Sequence, residues 1–331
     1  MKLTVVIPTF NRAQLLRRTL KSLAEAERPS GLEVRLMVVD NNSTDETRET
    51  VEACQAEFDL EIRYLFEPRQ GKSRALNTAI ENASGDLIGM LDDDEEVTGN
   101  WLMAVADVFL NRWDEVDFIG GRYIPQWEME PPAWLPKQYT GVVGFSNPGE
   151  EELQYGSSFK GMMPGGNAVV KLSALREVGG YNESLGPVGG NLMGCEDDEM
   201  YHRLLDAGKR GFYCPKLNIY HRVPAYRLTK KYFRRWCYGW GASQSVIDKE
   251  RTDYVGPRLF GVPRYMYGDA ARGALQMLRS ILQRDTDAAF AHELSLWILT
   301  GFFKERNLAR RRRAGASANT FRGKGAEAVT R

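Results

Sequence analysis

Apolar runs recur along the first part of the chain at residues 3–8, 34–40, 62–66, 87–91 and 118–123, and each is continuous rather than alternating. Strands that read apolar on both faces belong to a sheet covered on both sides, which is the habit of parallel sheets. Helical periodicity fills the intervals. Residues 13–27 follow Asn11, residues 45–58 follow Ser43 with Glu46 three positions on as a capping box, and residues 72–83 carry Ala75, Leu76, Ala79, Ile80 and Ala83 as a core-facing stripe. This alternation predicts an α/β domain, doubly wound and Rossmann-like, with a mainly parallel central sheet and helices on both faces. Regularity lapses from 125 to 164 into Pro, Gly, Trp and acidic residues, a length that points to a functional loop. It resumes with a strand at 165–171, helices at 172–178 and 195–207, and a strand at 211–220, after which the chain reads as a helical C-terminal region.

Composition adds limits. With 44 basic and 44 acidic side chains the chain has no bulk charge, so nucleic acid is not an expected partner. Four scattered cysteines, without a Cys-x-x-Cys pair or clustered histidines, support neither a disulfide framework nor a zinc site and suit a reducing cytoplasm. The start lacks the features of a signal peptide, and the late apolar segment 294–303 is far shorter than the roughly 18 to 20 residues that span a bilayer. The expected location is therefore cytoplasmic. Charge is uneven, since residues 304–331 hold nine basic and two acidic side chains. Residues 309–331 read as a disordered basic tail, with attraction to anionic lipid as its functional alternative. On the helix before it, Lys230, Lys231, Arg234 and Arg235 fall on one side and Tyr232, Phe233, Trp236 and Trp240 on the other. Such a helix either packs its aromatic face on the preceding domain or lies at a membrane surface as a peripheral contact.

Candidate chemistry gathers where strands end. Asp92-Asp93-Asp94-Glu95-Glu96 follows the fourth apolar run, at the carboxyl edge where open α/β sheets bind ligands. If the segment is extended, Asp92 and Asp94 share a face and approach one hard divalent cation; the alternative is an acidic loop complementing the next helix. Asp40 ends the second run and either accepts hydrogen bonds from a nucleoside or starts a turn. Arg69, Lys72 and Arg74 crowd a helix N-terminus, where cations are unfavourable unless an anion such as a diphosphate lies nearby. Gly71-Lys72-Ser73 imitates a Walker motif, but Phe66 stands where its first glycine belongs. In Glu196-Asp197-Asp198-Glu199, helical geometry turns Glu196 and Asp197 toward the apolar stripe of Met200, Leu204 and Ala207 and the other two away. An inward carboxylate with a raised pKa can act as a general base. His221, after the last strand, is structural unless the acidic cluster recruits it as a metal ligand.

Together, Val5-Val6-Ile7-Pro8-Thr9-Phe10-Asn11-Arg12, Val38-Val39-Asp40-Asn41-Asn42-Ser43-Thr44-Asp45, Gly71-Lys72-Ser73-Arg74-Ala75-Leu76-Asn77 and Leu91-Asp92-Asp93-Asp94 resemble the motifs of family 2 glycosyltransferases of the GT-A fold, in order and in spacing. The resemblance continues through Gly165-Gly166-Asn167, Val178-Gly179-Gly180-Tyr181 and Cys195-Glu196-Asp197. It implies a catalytic domain over 1–223, divided into a nucleotide-sugar half (1–123) and an acceptor half (124–223), ahead of a helical region at 224–308. It implies inverting transfer from a nucleotide-diphosphate sugar to a hydroxyl of a glycan or lipid-linked acceptor, in surface polysaccharide or glycolipid synthesis. Donor contacts are implied for Pro8, Thr9, Asn11, Asp40, Lys72, Arg74, Asp92 and Asp93, with Mg²⁺ or Mn²⁺ on Asp92, Asp94 and His221, and Asp197 as base. The motif has Asp93 in its middle and two glutamates after it, so any two of these acids can be the ligands, and Glu-Asp-Asp leaves Asp198 as a rival base. The other classes compatible with these residues are a nucleotidyltransferase on a similar fold, against which the missing glycine-rich N-terminal loop argues, and a non-catalytic nucleotide-sugar-binding subunit.

Overall fold

A computed structural model describes the chain except residues 160, 162, 190, 252, 253 and 327–331, and describes 250, 251 and 311–326 by backbone alone. In chain order the elements are β1 (Lys2–Thr9), α1 (Ala13–Glu25), β2 (Glu33–Asp40), α2 (Thr47–Glu57), β3 (Glu61–Phe66), α3 (Lys72–Asn82), β4 (Leu87–Met90), β5 (Glu95–Val97), α4 (Trp101–Asn111), β6 (Phe118–Trp127), β7 (Leu153–Gln154), β8 (Ala168–Lys171), α5 (Leu172–Val178), α6 (Glu196–Asp206) and β9 (Gly211–Val223). Beyond these lie α7 (Lys230–Arg251), β10 (Arg258–Leu259), β11 (Val262–Pro263), α8 (Arg264–Leu282) and α9 (Thr286–Ala326).

The main sheet runs β3-β2-β1-β4-β8-β6-β9-β5, with β7 on β9. Its first four strands are parallel, as the continuous apolar runs predict. Beyond them β8 lies antiparallel to both β4 and β6, so the sheet is mixed in its second half. Side chains alternate across each strand. On β1, Leu3, Val5 and Ile7 join Leu16, Leu20 and Phe109 of α1 and α4 on one face, while Val6 joins Leu76, Ile80 and Met200 of α3 and α6 on the other. Asn167 ties the middle together beneath the site. It accepts from Trp101 Nε1 (2.9 Å) and donates to the carbonyls of Leu217 (2.9 Å) and Arg122 (3.1 Å). All four cysteines are buried and free.

Two local expectations fail for identifiable reasons. The capping box does not form: α2 begins at Thr47 without a side-chain cap, and Ser43 Oγ instead accepts the Asn11 N–H (2.9 Å). The stretch 125–164 is partly ordered, since β6 reaches Trp127, a 3-10 segment occupies Lys137–Val143 and β7 pairs with β9.

The chain divides into two compact units, one of residues 1–191 and 195–229 and one of 192–194 and 230–331. Within the second, α7 packs along α9 at glycine contacts: a Cβ on Gly241 would meet the Ile298 carbonyl at 1.9 Å, and one on Gly301 the Tyr238 carbonyl at 2.0 Å. The basic side of α7 is in part used internally, because Lys230 and Arg234 lie over Phe290 of α9 and Arg234 pairs with Glu293. The backbone of α9 is helical to Ala326, within the stretch 309–331 that the sequence marks as a basic tail. Residues 327–331 of that tail lie outside the described residues. Among the described residues no helix is long and apolar enough to cross a membrane.

Candidate active site

The acidic cluster is a turn, not an extended segment, and its carboxylates diverge. The Glu95 side chain accepts the Asp92 N–H (2.8 Å), and β5 pairs with the end of β9 so that Glu95 stands opposite His221. Asp93 points inward. It accepts from Thr9 Oγ1 (2.9 Å) and Arg12 Nη1 (2.9 Å), and Thr19 Oγ1 donates to its carbonyl (3.0 Å). Burial, opposed by Arg12, lifts its carboxyl to about 6. Asp93 is thus a buried post that fixes the turn to β1 and α1.

Asp94 Oδ2 receives Arg12 Nη1 (3.1 Å) and Arg227 Nη2 (2.9 Å). Burial works against its charge, but Arg227, His221, Arg12 and Lys72 together hold its pKa below the usual carboxylate value. Arg227 also reaches His221, its Nη1 lying 3.0 Å from Nε2. Because a guanidinium only donates, Nε2 is the acceptor and the imidazole proton is on Nδ1. Burial keeps this ring neutral by lowering its pKa, it stacks on Tyr123 at 5.9 Å, and a Cβ on Gly144 would come within 2.4 Å of it. His221 lies inside β9, which continues to Val223, rather than after the strand.

Asp92 lies across from these groups, on Lys72, whose Nζ is 2.6 Å from Oδ1 and 3.4 Å from Glu196 Oε1. The cations at the start of α3 are therefore answered by the chain's own acids: Lys72 by Asp92 and Glu196, Arg74 by Glu183 (3.2 Å), and Arg69 by Glu67 (3.0 Å). The turn into α3 is held by Asn41, whose Oδ1 accepts the N–H of Gly71 (2.6 Å) and whose Nδ2 donates to the Arg69 carbonyl (2.9 Å).

Asp40 is buried at the end of β2. Ser43 N–H donates to Oδ1 (2.8 Å) and the Tyr64 hydroxyl to Oδ2 (2.6 Å). Asn11, at φ 53°, accepts the Thr44 N–H (2.7 Å) and joins the two strand-end loops, while Pro8 pairs in register with Val39 at the edge of the sheet.

The inward and outward assignment along α6 does not hold. Glu196, Asp198 and Glu199 are all buried and Asp197 is the least covered of the four, because α6 is enclosed on several sides. Glu199 grips Arg203 (2.6 Å), and Asp198 lies 3.4 Å from His202. Asp197 instead accepts the Gly165 N–H (3.1 Å), where a Cβ would fall 2.4 Å from its Oδ2. Burial and Glu196, opposed by Lys72, push the Asp197 carboxyl up to about 7.

The model of glycosyl transferase family 2 matches residues 4–179, which is more than half of the chain. The chain belongs to glycosyltransferase family 2. This match removes the nucleotidyltransferase alternative, and the enzyme class is glycosyltransferase. The glycosyltransferase is 25% identical over 254 residues to the glucosyl-dolichyl phosphate glucuronosyltransferase of Haloferax volcanii, covering 75% of this chain and 78% of the relative. It is 27% identical over 233 residues to the succinoglycan biosynthesis protein ExoM of Rhizobium meliloti, covering 68% and 70%. The GT-A fold is shared with the mannosyltransferase PcManGT from Pyrobaculum calidifontis, solved with GDP-Man and Mn²⁺. That structure superimposes with a TM-score of 0.56 at 19% identity over 99% of this chain and 81% of that one.

Arg12 and Arg227 also touch the candidate residues, through Asp93, Asp94 and His221. Arg12 had its motif as a signal but no partner. Arg227, six positions after His221, carried no recognisable spacing at all.

Proposed function

We propose that this glycosyltransferase performs a metal-assisted, inverting transfer from a nucleotide-diphosphate sugar to a hydroxyl of a glycan or lipid-linked acceptor, with Asp197 as general base. The observation that carries the reading is the Asp197 carboxyl, raised to about 7 and held beside Lys72 on the side where Asp92 lies. A base needs a pKa near the working pH, and position and value agree here. As the acceptor oxygen bonds to the anomeric carbon, its proton passes to Asp197, and the carbon–oxygen bond to the diphosphate breaks with its electron pair leaving on the nucleoside diphosphate. The names of relatives support the acceptor class: glucosyl-dolichyl phosphate in Haloferax volcanii, and an undecaprenol-linked glycan in a Campylobacter jejuni transferase 35% identical over 98 residues, 29% of this chain and 30% of that one.

The donor set suits a divalent cation. Among the described residues no three His, Cys, Asp or Glu side chains form a ready cage, but Mg²⁺ or Mn²⁺ needs only one or two carboxylates beside phosphate oxygens and water. Asp94 Oδ2 and His221 Nε2 converge on one point, the guanidinium of Arg227. Those two residues would hold the ion. When bound, the ion would neutralise charge on the leaving diphosphate. A cation that reaches both residues takes the place of Arg227, so Arg227→Gln should bind Mn²⁺ about tenfold more tightly without nucleotide, since a charge-assisted contact no longer competes. Paramagnetic titration of free Mn²⁺ reads this directly; equal or weaker binding would show that Arg227 does not compete.

The deciding experiment is a thermal-shift panel of UDP, GDP, dTDP and CDP, each with and without Mn²⁺. One nucleotide should give a metal-dependent shift, about 2.7 kcal/mol of stabilisation at a hundredfold excess over Kd, absent in the Asp92→Asn, Asp94→Asn double variant. No shift with any nucleotide would sink the donor site.

A further inference from the structure

The second compact unit carries an exposed apolar surface of its own. Helix α8 packs on α9 through one side only: Met266 joins Val262 and Phe302, and a Cβ on Gly273 would lie 3.2 Å from Leu296. On the opposite side Leu275, Leu278 and Leu282 stand at i, i+3 and i+7 and are 68%, 52% and 76% exposed. Ala271, one turn earlier, extends the line. Ile281, 54% exposed, widens it. Isolated exposed leucines are ordinary, but an unbroken stripe along one helix marks an interaction surface.

Charge selects the partner. Arg272 and Arg279 are seven residues apart, so both flank the same edge of the stripe, and Arg264 and Arg284 stand at the two ends of the helix. Asp269, paired with Arg272, is the only acid between Arg264 and Arg284. A line of leucines edged by arginines fits a lipid interface: the aliphatic groups enter the acyl boundary and the guanidinium groups reach anionic phosphates. The same helix is not apolar enough to span a bilayer. The alternative contact face, on α7, has Lys230 and Arg234 turned to α9.

We propose that α8 lies flat in the headgroup region of an anionic membrane, with Leu275, Leu278 and Leu282 inserted and Arg272 and Arg279 at the level of the phosphates. The full chain should co-sediment with vesicles of equal parts phosphatidylglycerol and phosphatidylcholine, less with phosphatidylcholine alone, and less again in high salt. Leu275→Glu with Leu278→Glu should lower partitioning by about tenfold or more, because two charges would have to enter the apolar layer. Lys231→Gln on α7 should change it by less than about twofold, since one exposed charge contributes little at moderate salt. Nucleotide-induced thermal shifts should be the same in the glutamate variant and the wild type, which separates this surface from the donor site. If the glutamates unfold the protein, as judged by helicity, Arg272→Gln with Arg279→Gln supplies the test through loss of the preference for anionic lipid. Wild-type binding that survives both pairs of substitutions overturns the proposal. So does a chain that ignores vesicles but sediments as a dimer that Leu278→Glu dissociates, since α8 would then be a contact between copies.

Discussion

Asp197→Asn is expected to lower kcat by roughly 10² to 10⁴, the usual worth of general-base assistance, while leaving the nucleotide thermal shift within experimental error. The amide keeps the shape of the carboxylate and retains one acceptor for the Gly165 N–H, so the site around it should stand. Nucleotide binding that falls in step with kcat would return Asp197 to a structural role. The wild-type rate should rise with pH through about 7, because burial and Glu196 raise this carboxyl and only its ionised form takes a proton. In Asp197→Asn that limb should vanish. Asp198→Asn should keep both the rate and the limb, since Asp198 is buried beside His202 and Asp197, not Asp198, contacts Gly165.

Lys72→Met should cost about 1 to 3 kcal/mol of stability, less than the loss of one partner of a fully buried ion pair, because Lys72 and Asp92 both keep part of their surface in water. Methionine replaces the aliphatic stem, but Asp92 and Glu196 then face each other without the ammonium that lies 2.6 and 3.4 Å from them. Burial opposes the charge on Lys72, yet Asp92, Glu196 and Asp197 raise its pKa well above the ordinary lysine value. A raised pKa means that the wild-type contribution is complete below the ordinary lysine range and fades only as pH climbs through the raised value. In the variant Asp197 loses the cation that opposes its raised pKa, that pKa rises further, and the folded state takes up a proton there. The stability deficit should therefore be largest near pH 8 and shrink toward pH 5, and the rising limb of the rate profile should move above about 7. Denaturant melts at the two pH values check this. A deficit that does not change with pH would mean that Lys72 acts by packing rather than by charge.

The two variants test links of different legibility. The strands β1 to β4 and the helices between them could be read from continuous apolar runs and helical period, because each depends on the pattern of a few adjacent residues. The direction of β8 could not, since a short apolar segment pairs either way and only its neighbours β4 and β6 decide. The candidate site divides likewise. Asp92, Asp94, Asp197, Lys72 and His221 were found because strand ends and helix starts are local features, and their motifs occur in order.

What each of those residues touches was another matter. The even spacing of Asp92 and Asp94 suggested one shared ligand, whereas Glu95 bends the segment into a turn that hands Asp92 to Lys72 and Asp94 to Arg12 and Arg227. Ser43 with Glu46 had the form of a cap, but Asn11, 32 residues away, claimed the serine. Arg227 meets Asp94 across 133 positions and had no local signal to announce it. By itself the sequence determined the layers of the fold, the family and most of the charged groups that line its edge, since these follow from the period and order of residue types. Only the tertiary structure decided which acid is neutralised, which is buried as a post and which is left with a pKa near 7. Those outcomes depend on through-space distance and burial, which no one-dimensional pattern specifies.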